Sequence, residues 1–251
     1  MSAYESLAAS YDRLTNDVDY DAMCDFYESV VAREGVTAHD VLDLACGTGS
    51  LSVRLARRGY RVLGADASED MLLRAYDKAQ ELEENRPFFI LQPMQKLKLP
   101  EPVDWVVCSL DSLNYIIDPH ECETAIRRVY RALRPGGIFT FDVNSPYKLH
   151  SLDDQVFLDE DENVYCVWRA AFDKQANTLD YGMDLFQRAG SVWLRTYEEH
   201  REYCYTIGQL TDFLHRAGFS RIKVYADGRL TAPEPESMRL YFSARKESRK
   251  L

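Results

Sequence analysis

The sequence has no uninterrupted apolar run approaching the roughly 18 residues of a membrane-spanning helix, so no membrane span is expected. It has no C-x-x-C pair among Cys24, Cys46, Cys108, Cys122, Cys166 and Cys204. That scatter argues against a zinc site or a dithiol motif, so no metal ligand is assigned. It fits reduced thiols in a cytoplasmic protein. Met1 to Ser10 lack a basic patch followed by an apolar block, and no signal peptide is expected. Positive charge is also short: 30 Lys and Arg face 41 Asp and Glu, for a net charge of −11. Such a surface is a poor match to a nucleic-acid backbone or an anionic membrane. Internal repeats are absent.

What is present is a globular composition. Of 251 residues, 46% are apolar and 28% charged, which supports a sizeable core and excludes a disordered chain. From Asp40 to Val143, short apolar runs alternate with helical stretches. Strands are predicted over Val41–Ala45, Arg61–Ala65, Phe88–Leu91, Val103–Ser109 and Ile138–Val143. Helices are predicted over Ser50–Arg58, Ser68–Glu84 and Pro119–Leu133. Ser68 caps the second helix, and Arg134-Pro135-Gly136-Gly137 ends the third. Strands joined by crossover helices lie parallel, so the pattern predicts an α/β, Rossmann-like, doubly wound, mostly parallel sheet. Ligands on such sheets bind beyond the carboxyl ends of the strands, where strand order reverses.

The texture changes after Asn144. Residues 151 to 163 are acid-rich and predict a loop. From Val164 to Thr206 the chain alternates in strand fashion, with Gly190 as a hairpin turn, which predicts an inserted antiparallel β subdomain. On its last strand, alternation puts Trp193, Arg195, Tyr197, Arg201 and Tyr203 on one face and His200 on the other. A helix over Gly208–Ala217, stopped by Gly218, precedes strands Arg221–Ala226 and Met238–Ala244, with an antiparallel last strand.

The segment Val41-Leu42-Asp43-Leu44-Ala45-Cys46-Gly47-Thr48-Gly49-Ser50 carries the functional argument. A strand ends in a small-residue loop and a helix begins at once. Gly47 and Gly49 allow close approach to a ligand, and the helix N-terminus offers free amides. A nicotinamide dinucleotide fingerprint needs a third glycine, where Ser52 stands. Asp43 would also repel a pyrophosphate, whereas a cation that carries a carboxylate suits both features. Asp66 ends the second strand and is placed to accept from a ribose diol. The alternative is that Asp66 only caps the next helix, a position Ser68 already fills.

These motifs resemble the class I S-adenosylmethionine-dependent methyltransferases. D-x-A-C-G-T-G at Asp43 to Gly49, followed by G-x-D-x-S-x-x-M-L at Gly64 to Leu72, is a specific pairing. Leu133-Arg134-Pro135-Gly136-Gly137 matches the turn before the fifth strand. The resemblance implies that Ala45, Gly47, Thr48 and Gly49 pack against the methionine part of S-adenosylmethionine, with Asp43 near its ammonium. Asp66 would hold the ribose, and Ala67 and Met71 would flank the adenine. Pro93 stands where the family has an acid for the adenine amino group, leaving Met94 to pack on the ring and Gln95 to offer its amide. Ser109, Leu110 and Asp111 follow the fourth strand, near the reacting methyl, with Asn114 and Tyr115 towards the acceptor.

Tyr11-Asp12-x-Leu14 and Asp17-Val18-Asp19-Tyr20 are similar to the lid of a bacterial small-molecule group close to glycine/sarcosine N-methyltransferases. There a tyrosine covers the cofactor; Tyr20 is the first candidate and Tyr11 the second, and helix packing is the alternative for both. The resulting expectation is one domain over residues 1–251. It comprises an N-terminal helical lid (1–37), a cofactor-binding core (38–145), an inserted β lid (146–206) and a C-terminal helix with a strand pair (207–251). Tyr147, His200 and Arg201 are the acceptor-side candidates, with Arg201 a possible carboxylate clamp or a plain cross-strand ion pair. Methyl transfer from a sulfonium needs alignment more than a catalytic dyad, so no catalytic residue is assigned. The expected function is methyl transfer to a small molecule by a monomer or homodimer. The alternatives are an RNA or tRNA methyltransferase, a non-catalytic cofactor-binding module and, more distantly, a nicotinamide oxidoreductase.

Overall fold

The computed structural model describes residues 18–248. Helix α1 (Tyr20–Arg33) starts at Asp19, whose carboxylate accepts from the amides of Asp21 and Ala22. The alternating core follows: β1 (Asp40–Leu44), α2 (Ser50–Arg57), β2 (Arg61–Asp66), α3 (Glu69–Ala79), β3 (Phe88–Leu91), β4 (Val103–Cys108), α4 (Pro119–Ala132) and β5 (Leu133–Asn144). Short 3-10 turns, Met94–Lys96 and Ser112–Tyr115, follow β3 and β4.

The main sheet has seven strands. β10 (Ser220–Ala226) and β11 (Arg239–Arg245) extend it beyond β5, in the order β10-β11-β5-β4-β1-β2-β3. β1 to β5 pair in parallel, and β11 runs antiparallel to both β5 and β10. Strand order reverses between β1 and β4, so the cleft of a doubly wound sheet opens above their carboxyl ends. Leu42, Leu44, Val106, Phe139 and Phe141 are fully buried because both faces of the sheet are covered. Trp105 is also fully buried, and its indole N–H donates to Thr140 Oγ1 at 2.8 Å. A separate four-stranded antiparallel sheet is built by β6 (Val156–Glu160), β7 (Val164–Asp173), β8 (Thr178–Ala189) and β9 (Val192–Tyr203). A short helix, α5 (Pro146–Ser151), leads into it, and α6 (Ile207–Ala217) leads out. Gly218 closes α6 at a φ of 104°, and Gly190 turns the β8–β9 hairpin at 66°.

Three expectations are corrected. The acid-rich stretch after Ser151 is not all loop, because Val156–Glu160 pairs with β7. All five side chains of this edge strand are exposed, so it leaves no alternation to read, and Asp159 and Glu160 blunt its open edge. Helix α3 ends at Ala79, not at Glu84. The acidic Glu81, Glu83 and Glu84 would oppose the helix dipole at that end. The Arg134–Gly137 turn lies inside β5, whose first residue already pairs with Val103 before a register shift.

Candidate active site

The cleft begins at the β1–α2 loop. Ala45 adopts a left-handed φ of 58°, and Gly47 and Gly49 have φ values of 53° and 74°. A Cβ on Gly47 would meet nothing within 4 Å, so open space lies beside it. A Cβ on Gly49 would fall 2.9 Å from Ala75 Cβ, so this second glycine brings α2 and α3 together. Asp66 ties the loop to the next one: Oδ2 accepts from Gly47 N at 2.8 Å and Oδ1 from Ser68 N at 2.9 Å. Burial raises its pKa although these hydrogen bonds oppose the shift. Ser68 caps α3 by accepting from Met71 N at 3.3 Å.

Asp43 lies beneath the loop, 1% exposed. Ser52 donates to its Oδ2 at 2.6 Å, and Oδ1 has no hydrogen-bond partner among the described residues. Burial pushes Asp43 up to about 7, against the Ser52 bond. A buried, unsatisfied carboxylate oxygen next to a glycine loop fits a cationic ligand that brings its own donors.

A cavity of about 300 Å³ joins these loops to the far wall. Ala45, Gly47, Asp66, Ala67 and Met71 line one side, and Met94, Gln95, Leu110 and Tyr115 line the other. These nine were expected there from the sequence. Gln95 also donates to Glu121 Oε2 at 3.0 Å, so its amide has a partner in place. Ser68, Gln92, Pro93, Ser112 and Ile116 complete the wall without having been singled out as contacts.

Other candidates go elsewhere. Tyr20, the first residue of α1, is not among the residues that line this cavity; it is 8% exposed, packs in a core cluster and has the Arg54 guanidinium 5.1 Å from its ring centre. Tyr11 lies outside the described residues. Thr48 is buried and accepts from Lys78 Nζ at 3.1 Å, and Ser109 accepts from Ser112 Oγ at 2.7 Å through its carbonyl. Asn114 is a latch: its amide donates to Tyr203 O at 2.9 Å, and its carbonyl accepts from Asn144 N at 3.1 Å. Arg201 sits on the outer face of β9 in a two-bond pair with Asp180, at 2.6 and 2.5 Å, so the cross-strand reading replaces the clamp. His200 faces inward, as alternation requires, with Tyr115 edge-on at 6.1 Å. Tyr147 on α5 is exposed.

Asp142 organises the end of β4, and sequence reasoning missed it. Its carboxylate accepts from Tyr27 Oη at 2.6 Å, Leu110 N at 2.9 Å, Asp111 N at 3.0 Å and the Arg239 guanidinium. Arg239 also pairs with Asp111 at 2.7 Å. Leu110 and Asp111 are both left-handed, with φ of 56° and 52°, so Asp142 holds a strained cleft turn in place. An acid inside the apolar run of β5 was the signal available for it.

The sheet order, the switch-point cleft and the paired Gly47 and Asp66 loops define an α/β nucleoside-binding protein. The family profile of a methyltransferase domain matches residues 41–137. A Geobacillus sp. (strain WCH70) protein named "Putative methyltransferase GWCH70_2453" is 35% identical over 246 residues, covering 97% of this chain and 99% of its own. The chain therefore belongs to the class I S-adenosylmethionine-dependent methyltransferases, and S-adenosylmethionine is the methyl donor of this family. The crystal structure of an S-adenosylmethionine-dependent methyltransferase from Clostridium acetobutylicum superposes with a TM-score of 0.86 at 29% identity. That superposition covers 98% of this chain and 99% of the other. A glycine/sarcosine N-methyltransferase from Halorhodospira halochloris is 23% identical, over 95% of this chain and 87% of its own.

Proposed function

We propose that the chain transfers the methyl group of S-adenosylmethionine to a small-molecule acceptor, with the second sheet as a lid over the acceptor. The observation that carries this reading is the continuity of one cleft. It runs from the Gly47 and Asp66 loops to Tyr115, where His200 of the second sheet meets it. When bound, S-adenosylmethionine supplies a methyl group on a positively charged sulfur. Asp66 would hold the ribose diol through the lone pairs that its two backbone bonds leave open. Asp43 Oδ1 would receive the ammonium, and Ala67, Met71 and Met94 would enclose the adenine. The strained Leu110–Asp111 turn would fix the reacting end, and the second sheet would exclude water during an in-line displacement. The net charge of −11 favours a small acceptor over a nucleic acid.

The test pairs binding with turnover. S-adenosylhomocysteine affinity is measured by calorimetry, and labelled methyl transfer is screened over amines, phenols and carboxylic acids. Asp66→Ala is expected to weaken binding roughly ten- to a hundredfold, as loss of charge-assisted hydrogen bonds does. Equal affinity in the variant overturns the cofactor placement. Transfer to RNA with none to small molecules overturns the acceptor class.

A further inference from the structure

Behind Tyr115, the inward face of β9 carries Glu198, His200 and Glu202 in alternation, all largely or fully buried. His200 Nε2 lies 3.3 Å from Glu198 Oε2, and Trp168 stands 6.3 Å from the His200 ring. Glu202 is 3% exposed, beyond the carboxyl end of β5. Its Oε2 accepts from Asn144 Nδ2 at 2.7 Å, and the Tyr181 hydroxyl of β8 stands near it. Both groups are neutral.

The cations nearby are engaged by other groups. Lys148 of α5 donates to Asn144 Oδ1 at 2.8 Å, on the opposite side of the same amide. Arg239 of β11 is held by Asp142 and Asp111. Among the described residues, no cation lies within ion-pair distance of Glu202. A carboxylate this deep has only neutral donors in contact; Lys148 and Arg239 act on it only through space, and burial outweighs them. The groups around it come from β4's following turn (Asp111), β5 (Asp142), α5 (Lys148), β8 (Tyr181), β9 (Glu198, His200) and β11 (Arg239). Three carboxylates among them, four with Glu202, face two fixed cations, an excess that favours a cationic visitor.

Resting on the small-molecule reading above, we propose that the acceptor is a protonated amine and that Glu202 is the group that takes its proton. The ammonium supplies a counter-charge in direct contact on arrival. One N–H proton passes to the Glu202 carboxylate, freeing the nitrogen lone pair. That pair forms the N–C bond to the methyl, and the C–S bond breaks with its electrons returning to sulfur. The products are a methylated ammonium, a neutral thioether and a protonated Glu202, which returns its proton to water. Burial and Asp111 push Glu202 up to about 8, close to the range of an amine, and such matching favours proton transfer.

The experiment compares wild type with Glu202→Gln in labelled methyl transfer to amines, phenols and carboxylic acids at pH 7.5 and 9.5. Binding of the accepted amine to the S-adenosylhomocysteine complex is measured by calorimetry alongside. Amines alone are expected to be methylated. Glu202→Gln is expected to lower kcat roughly a hundredfold at pH 7.5, the scale of general-base loss. The deficit should shrink below about tenfold at pH 9.5, where water itself deprotonates the amine. Amine binding should weaken in the variant while S-adenosylhomocysteine binding holds. Transfer to phenols or acids but not amines overturns the Glu202 assignment and leaves the small-molecule reading standing. A deficit equal at both pH values, or a variant within twofold of wild type, also overturns it. Failure to methylate any small molecule overturns both readings. If Glu202→Gln does not fold, Asn144→Ala serves: losing that donor should move the rising limb of the kcat profile upward, and an unmoved limb counts against Glu202.

Discussion

Asp43 shows how a single buried acid can couple ligand binding to protons. Its folded-state pKa of about 7 comes from burial, with the Ser52 hydroxyl opposing the shift. A ligand ammonium beside Oδ1 would favour the ionised form, so binding must remove a proton below that pH. The affinity for S-adenosylhomocysteine is therefore expected to fall as pH drops from 7 to 5. Its slope should approach the limit of about tenfold per pH unit for one proton. Asp43→Asn should bind more weakly at pH 8 and show little slope. An equal slope in the variant, read by calorimetry, would place the ammonium elsewhere. Residues with local roles were visible in the sequence: Ser68 caps the helix next to it, and Gly47 opens the loop it belongs to. The latch role of Asn114 was not, and Tyr20 and Arg201 were left between two roles, because Tyr203, Arg54 and Asp180 act on them from distant positions.

Two elements carry sharp packing constraints. A Cβ on Gly64 in β2 would fall 2.4 Å from Phe89 Cδ1 of β3 and 2.9 Å from Cys46 Sγ. Gly64→Ala is expected to cost roughly 1–3 kcal/mol by overpacking, measured by urea denaturation. Adding Phe89→Leu should recover part of it, and a neutral single variant would refute the close packing. The β4–β5 end depends on Arg239 against Asp111 and Asp142. Arg239→Leu leaves two carboxylates without that partner and is expected to cost about 3–5 kcal/mol. It should also loosen the Leu110–Asp111 turn, seen as faster amide hydrogen exchange there. Unchanged exchange would separate the turn from the ion pair. Strands β1 to β5 were legible because buried parallel strands read as apolar runs between helices. β6 was not, since an edge strand with all five residues exposed pairs through its backbone with β7 and leaves no apolar alternation.

At the scale of the molecule, raised carboxylates set the pH dependence of stability. Asp43 at about 7 and Glu202 at about 8 bind protons in the folded chain that the unfolded chain has released. Their contribution is therefore present at low pH and declines as pH rises from the ordinary carboxylate range through 7 to 8. Asp104 and Asp184 shift downward, so theirs is lost only in stronger acid. The urea midpoint of the ligand-free protein is expected to fall between pH 5.5 and pH 8, and to fall less in Asp43→Asn. A midpoint that falls equally in both would remove Asp43 from the account.

The sequence by itself determined the doubly wound sheet, the glycine loop, Asp66 and the family. Those depend on local order: strand, turn and helix follow one another within a few residues, and spacing records them. Tertiary structure alone decided which charges meet. Asp142 with Arg239, and Glu202 with Asn144 and Tyr181, join residues far apart in the chain. Their partners are set by sheet order and by how the second sheet closes over β5. Burial then raises the stakes of each pairing, because a charge out of water is stabilised only by the groups the fold brings to it.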